Sequence, residues 1–530
     1  MPDYIYLLES RLSPEQRAVL ERVQELARSQ EMNIYLTGGA VRDMICGQSI
    51  RDLDFTVEGN PVRMVRELEK GGARVAWESE RLRHHEIIFA GDVEGSISAA
   101  RDEVYERPGA KPELHFSSIM EDLRRRDFAI NAIAISLNAQ SRGLLLDPAN
   151  GLADLERQEV RALSIHAFTN QPVRLLRILR YCARMGFKME QRTQEWFDLA
   201  MERGLQANIE PDDAGNEVRS LAREDNPAAT LKQWDTRGLL AAVHPQLQKR
   251  KPDYDGLGRL SRARGNLLAA GIRARLGASV TYYVLRRLKP RGTAAAMRQM
   301  GFRAAEVEAV GNIVAEGREI VQALRGRKTN APRDAYFYLA SLPPEMLAFI
   351  PAELPNGRAV SKIRSYIQKW RPMRLALPAA ELSALGIAHG PKFDKILEQL
   401  FEMQLRGKAR SAEDRTKALR QLAGIKEEPK KKPEKEKKKH KGKEPAAHAA
   451  KGPDTKAAAA APHGKVHAAA AQPGRGKEGA APFLRQGKAA SVIGARAQAK
   501  HEKEVARHSG ARRAHARKAK AERGKRTRRR

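Results

Sequence analysis

Two aspartates separated by one residue, Asp52 and Asp54 in D-L-D, stand about a dozen residues after a Gly-Gly pair, Gly38 and Gly39. A β-strand sends residues i and i+2 to the same face, so the apolar run Leu53, Phe55, Val57 predicts a strand that projects both carboxylates side by side. Magnesium ions that also hold substrate phosphates are usually bound by one or two such carboxylates. Upstream, Ile34–Leu36 reads as a short strand ending at the glycines. Without side chains, these let the backbone approach a triphosphate and turn its N–H groups toward it. Arg42 follows on the next helix as a phosphate partner. Strand, Gly-Gly, helix with Arg, then strand with D-x-D form the outline of a site that transfers a nucleotide from a nucleoside triphosphate.

Further along lie two clusters of arginine. Arg124–Arg126 directly precede Asp127 and an apolar run that contains Asn131. Guanidinium forks match phosphate oxygens, so Arg125 and Arg126 are phosphate or ribose ligands, while Asp127 and Asn131 fix the local backbone and a ribose pocket. Arg174, Arg177, Arg180 and Arg184 fall on one face of a helix. With no carboxylate between them they would repel one another, and an anionic or base-edge ligand explains them better than a solvated face.

These segments together resemble the class II tRNA nucleotidyltransferases (CCA-adding enzymes) and the related bacterial poly(A) polymerases. GGAVRD followed by RDLDF is similar to the head of that family, and EDLRRRDFAINAIAIS (Glu121–Ser136) to its RRDFT-x-NA motif. LLDPANGLADLERQEVRAL (Leu145–Leu163) resembles its D-P-x-x-G-x-x-DL segment, and PVRLLRILRYCARMGF (Pro172–Phe187) its R-x-x-R-x-x-R helix. The resemblance implies that Asp52 and Asp54 bind two Mg²⁺ ions and that CTP and ATP are the nucleotides. It implies the 3′ end of tRNA or another RNA as acceptor. It also implies that Arg174 pairs with the incoming base, with Arg177 and Arg180 facing the nucleotide. The family's acidic partner of that Arg is Gln171 here, and Ser96 stands where relatives often carry an acid, with Glu94 on the same side of its strand. Three readings stay open: CCA addition, A-only or poly(A) addition, and an RNA-binding homologue with weakened catalysis.

The elements that must position these residues give an α/β head, a mixed-sheet nucleotidyltransferase palm, over residues 1–137. A helical neck follows over 138–230, then a helical body and tail over 231–425 that binds RNA. Strands are expected near 34–37, 53–57, 73–77, 85–90 and 96–100, with helices over Pro14–Ser29 and from Pro61 to Lys70. Leu377–Gln421 resembles the C-terminal helical segment of CCA-adding enzymes. Residues 426–530 hold 32 Lys and Arg against 10 Asp and Glu, a net +22 of the chain's +33, with Phe483 as the one aromatic. Such a segment cannot bury enough apolar surface to order itself. It reads as a disordered extension that meets RNA through phosphates or simply solubilises the chain. Cys46 and Cys182 form no redox or metal motif. No apolar run suits a membrane, so a soluble cytoplasmic protein is expected, and no segment points to a protein partner.

Overall fold

The computed structural model describes residues 3–106, 112–409 and 411–425; the basic extension beyond residue 425 lies outside the described residues. A mixed seven-stranded sheet with helices on both faces is followed by a long helical region, the architecture expected from the sequence. The strands are β1 (Ile34–Thr37), β2 (Leu53–Val57), β3 (Arg74–Ser79), β4 (His84–Phe89), β5 (Val93–Ala99), β8 (Ala134–Ser136) and β9 (Leu145–Leu146). Their order is β3-β4-β5-β2-β1-β8-β9, antiparallel throughout except for the β2–β5 pair, which is parallel and matches Asp54 with Ser96.

Period-two patterning decides which face each side chain takes. Leu53, Phe55 and Val57 of β2 and Val93, Ile97 and Ala99 of β5 are buried in the core under α2 (Pro14–Ser29), α3 (Gly39–Ile45) and α4 (Val62–Lys70). The alternate residues, Asp54 and Thr56 on β2, Glu94, Ser96 and Ser98 on β5, and His84, Glu86 and Ile88 on β4, point to the opposite face. There α5 (Ile119–Arg124) covers only the β1–β8 side, packing Ile119 and Leu123 on Tyr35 and Ala134. The strip over β2, β5 and β4 is left as a cleft.

Helix α2 spans the residues expected for it. Ser13 Oγ accepts from the Gln16 N–H at 3.2 Å while Gln16 Oε1 accepts from the Ser13 N–H at 3.0 Å, closing both ends of a capping box ahead of Pro14. Helix α4 starts one residue later than its proline implied, because Asn60 Oδ1 accepts from the Val62 N–H at 3.2 Å and leaves Pro61 as the cap. A first helix, α1 (Tyr4–Arg11), and the hairpin of β6 (Arg101–Val104) and β7 (Glu113–Phe116) were not anticipated. Nor does the sheet stop at residue 137, since β9 pairs with β8 beyond it. The region past residue 150 is helical apart from a two-residue parallel pair, β10 (Glu159–Val160) with β11 (Lys188–Met189).

That region runs through α6 (Gly151–Arg157), α7 (Ala167–Asn170), α8 (Arg174–Met185), α9 (Gln191–Glu202) and α10 (Pro211–Leu221), then further helices to residue 423. Buried apolar side chains from Leu8 to Leu405 make one continuous core shared by sheet and helices. The last helices, 379–384, 391–405 and 412–423, enclose a smaller core of their own around Leu382, Phe393, Ile396, Leu400 and Leu419. Among the described residues no helix is long and apolar enough to cross a membrane.

The parallel pairing of β2 and β5 is tight at Gly95, where a Cβ would come within 2.2 Å of the Leu53 carbonyl oxygen. Gly95→Ala must therefore push the two strands apart. It is expected to lower stability by about 1–3 kcal/mol, read as a lower melting temperature of the full chain.

Candidate active site

The cleft over β2, β4 and β5 has a volume of about 390 Å³. Its floor carries Asp52, Asp54, Glu86 and Glu94, and Arg126, Arg223 and Arg275 reach into it, with Gly38 at one end. Asp52 and Asp54 share the face that the strand period demands. Ser96 Oγ donates to Asp54 Oδ1 at 2.7 Å, so the hydroxyl on β5 steadies the carboxylate on β2. Burial and the neighbouring charge of Asp52 push the Asp54 carboxyl up to about 6, against the downward pull of Ser96 and the more distant Arg223 and Arg126. His84, on the same face, is pushed down to about 4 by burial and by Arg101, so its imidazole is neutral near pH 7.

Gly38 adopts φ +66 and ψ −124, a conformation open to glycine alone, and a Cβ there would lie 3.3 Å from Arg126 Nη1. The turn sets the start of α3 beside the aspartates: a Cβ on Gly39 would lie 4.0 Å from Asp52 Oδ1. Arg126 closes the other side. It donates to Asp122 Oδ2 at 2.9 and 3.1 Å, to the Asn131 carbonyl at 3.2 Å and to Thr56 Oγ1 at 3.2 Å.

Other arginines turn elsewhere. Arg42 does not open onto the cleft: it is 1% exposed, and its guanidinium donates to Asp43 Oδ1 at 2.7 and 2.9 Å and to Asn131 Oδ1 at 2.6 Å. In this arrangement it is a buried brace between α3 and the segment after α5, which corrects its expected place beside phosphate. Arg125 points to the β6 side, donating to the Arg101 carbonyl, to Glu103 at 2.9 Å and to Asp122. Asp127 Oδ1 accepts from the Phe128 N–H at 2.8 Å and from Asn131 Nδ2 at 3.0 Å, fixing the chain where it leaves the arginine cluster.

On α8 the four arginines do share one face, yet the expected mutual repulsion is absent because other elements supply carboxylates. Glu217 of α10 accepts from Arg177 Nε and Arg180 Nε, both at 2.8 Å, and Glu224 from Arg180 Nη1 at 3.0 Å. Arg177 also meets Asp127 Oδ2 at 3.2 Å, and Arg184 meets Asp43 Oδ2 at 2.5 Å. Buried Arg180 thus serves the scaffold, in place of the nucleotide-facing position expected for it. Arg174 and Gln171 do associate: Gln171 Oε1 accepts from Arg174 Nε at 3.0 Å. The Gln171 amide donates in turn to Glu103 Oε2 at 3.1 Å and to the Tyr105 hydroxyl at 2.5 Å, so its orientation is fixed at both ends.

Sequence reasoning missed Glu86 and Arg223. The alternation of H-H-E-I-I-F could have placed Glu86 with His84 on one face, whereas Arg223 lies some 170 residues from Asp52 and has no local signal. Among the described residues no group of three or more His, Cys, Asp or Glu is arranged to enclose a metal by side chains alone.

The buried ion network makes its own prediction. Arg180 and Arg177 hold the Glu217 carboxyl below its ordinary 4.5 despite burial. A depressed folded value means that this stabilisation is complete above the ordinary carboxylate range and is lost as pH falls through the lower folded value. Glu217→Gln should cost about 3–5 kcal/mol by leaving two guanidiniums short of a partner, and should flatten the acid limb of melting temperature against pH.

Residues 34–161 match the poly A polymerase head domain. The chain is 26% identical over 428 residues to the A-adding tRNA nucleotidyltransferase of Geobacter sulfurreducens, covering 79% of this chain and 48% of the relative. It is 37% identical over 213 residues to the A-adding tRNA nucleotidyltransferase of Aquifex aeolicus, covering 40% and 26%. With the CC-adding tRNA nucleotidyltransferase of Deinococcus radiodurans it shares 29% identity over 416 residues, 78% of this chain and 96% of that one. The chain thus spans about half or less of the first two relatives.

Proposed function

From a chain that matches the poly A polymerase head domain over residues 34–161 and is similar to A-adding and CC-adding tRNA nucleotidyltransferases, we propose a member of the class II tRNA nucleotidyltransferase and bacterial poly(A) polymerase family that adds nucleotides to the 3′ end of tRNA without a nucleic-acid template. The observation that carries this reading is the pair Asp52 and Asp54, set side by side in a cleft with the Gly38 turn at one end. CMP and AMP, from CTP and ATP, are the nucleotides proposed. Addition of A alone is the second reading, favoured by the A-adding activity named for two of the relatives.

The residues fit magnesium. Asp52, Asp54 and the Ser96 hydroxyl are hard oxygen donors, and burial beside the charge of Asp52 raises the Asp54 carboxyl, which a bound cation would relieve. A site with two such carboxylates and no enclosing protein cage suits an ion that shares its remaining positions with phosphate and water. Two bound Mg²⁺ ions would supply Lewis-acid stabilisation of the charge that develops at the α-phosphate. Asp52 and Asp54 hold that chemistry in place. The Gly38 turn and the first N–H groups of α3 cradle the triphosphate, and Arg126, braced by Asp122, closes over it. The RNA 3′-hydroxyl attacks the α-phosphate as pyrophosphate departs. The Arg174 and Gln171 pair faces the base edge, donating to a ring nitrogen and accepting from an exocyclic amine, features that cytosine and adenine share.

Asp52→Ala and Asp54→Ala should each abolish nucleotide incorporation and leave tRNA binding nearly unchanged, because metal positioning acts on the transition state and RNA affinity comes mainly from distant phosphates. Single-turnover incorporation beside a tRNA-binding titration checks this; wild-type rates in either variant would remove the assignment of β2.

Selectivity for the base is testable at Gln171. A family-like Asp at this position would face Glu103, which now accepts from the Gln171 amide. Gln171→Asp alone therefore sets two carboxylates together and should impair the site. Combined with Glu103→Gln, it should raise discrimination against UTP and GTP by roughly 1–3 kcal/mol, and Arg174→Ala should lower incorporation of CTP and ATP alike. The measurement is kcat/KM for all four triphosphates; unchanged ratios throughout would assign α8 to scaffold or RNA binding alone.

A further inference from the structure

Arg223 follows α10 in a turn whose main chain is clamped on two sides. Its carbonyl accepts from Arg51, which also pairs with Asp225 at 2.7 Å, and Arg264 Nη1 donates to the carbonyls of Ala222 at 3.1 Å and Glu224 at 2.8 Å. From this fixed turn the side chain, 54% exposed, reaches across to the sheet. Its Nη1 lies 3.9 Å from Asp52 Oδ2 and its Nη2 4.0 Å from Glu86 Oε2. Both separations are too long for hydrogen bonds. The other guanidiniums in the cleft are committed, Arg126 to Asp122 and Arg275 to Asp92 and Glu94. Among the described residues, Arg223 makes no side-chain hydrogen bond, although it stands between two carboxylates of the cleft floor.

We propose that Arg223 is a phosphate-binding residue that holds the place of a divalent cation between Asp52 and Glu86 until nucleotide arrives, then turns its fork onto the triphosphate. The proposal rests on the nucleotidyl-transfer reading. A cation entering on Asp52 meets the guanidinium as a like charge only a few ångströms away, and the two cannot share that carboxylate comfortably. The triphosphate that accompanies the metal gives the guanidinium a better partner, since a planar fork matches phosphate oxygens bidentately. With the turn clamped, the change is confined to the side chain. Arg223 thus disfavours metal alone and favours metal with nucleotide, which makes their binding mutually reinforcing.

The test uses the full-length chain, Mn²⁺ as the probe followed by electron paramagnetic resonance, a non-hydrolysable ATP analogue, and an RNA oligonucleotide without nucleotide. Arg223→Ala should bind Mn²⁺ alone roughly tenfold more tightly and the analogue roughly ten- to a hundred-fold more weakly, with RNA affinity unchanged. Arg223→Lys should be intermediate in both, and it carries the test if the alanine variant does not fold. Unchanged Mn²⁺ or analogue affinity overturns the proposal, as does a loss confined to the RNA arm, which would give Arg223 to an RNA backbone phosphate. Asp52→Asn separates the two layers. If it keeps wild-type Mn²⁺ binding, the catalytic reading itself falls; if it loses binding while Arg223→Ala changes nothing, only the role of Arg223 falls.

Discussion

Glu217 accepts from Arg177 and Arg180 at once, and around that shared carboxylate the rest of the site is organised. A buried guanidinium needs both countercharge and hydrogen-bond acceptors, and leaving either unmet is strongly destabilising. Helix α8 carries four arginines on one face, so it can pack only where α10, α3 and the segment after α5 deliver Glu217, Glu224, Asp43 and Asp127. Those demands fix α8 against the helix that begins at the glycine turn, because Asp43 bonds both Arg42 and Arg184. The N-terminal end of α8 is thereby held in register with the aspartate strand.

Charge is distributed in opposite ways in the two halves of the site. On α8 Arg177, Arg180 and Arg184 are each matched by carboxylates, while Arg174 is held by the Gln171 side chain and the Arg125 carbonyl. In the cleft four carboxylates face Arg126, Arg223 and Arg275, and burial together with the charge of Asp52 raises the Asp54 carboxyl to about 6. A closed network gives rigidity, while an unbalanced one gives affinity for whatever brings positive charge with it. The fold keeps the two apart by strand alternation, which sends the acidic residues of β2, β4 and β5 to the cleft face and their apolar neighbours to the core.

Much of this was legible in the sequence where the signal was local. The D-x-D strand, the glycine turn and the span of α2 depend on neighbours within a few residues, and the structure places each where its spacing implied. What escaped depended on distant pairing. Arg42 turns inward because Asn131, 89 residues away, offers it an oxygen. The arginines of α8 read as mutually repelling because their carboxylates lie 37 to 141 residues further along or back, beyond any helical period. Glu86 joins the cleft only because β4 pairs with β5 and sets it opposite Ser96. The β6–β7 hairpin, with three consecutive charged residues in β6 and mostly exposed side chains in β7, carries no strong core signal to announce it.

The small separate core of the last three helices has a consequence for how the chain opens. Helix 391–405 faces two ways: Phe393, Ile396 and Leu400 pack with Leu419 in the minor core, while Phe401 and Leu405 belong to the main one, where Phe401 lies edge-on to Tyr336 at 4.8 Å. A cluster of so few side chains melts at a lower free energy than the continuous core behind it. Helix 412–423 can therefore come away by itself, exchanging its amide hydrogens and meeting proteases ahead of the main core, while the helix beneath stays anchored. Its departure leaves the continuous core, and the sheet with its aspartates, in place.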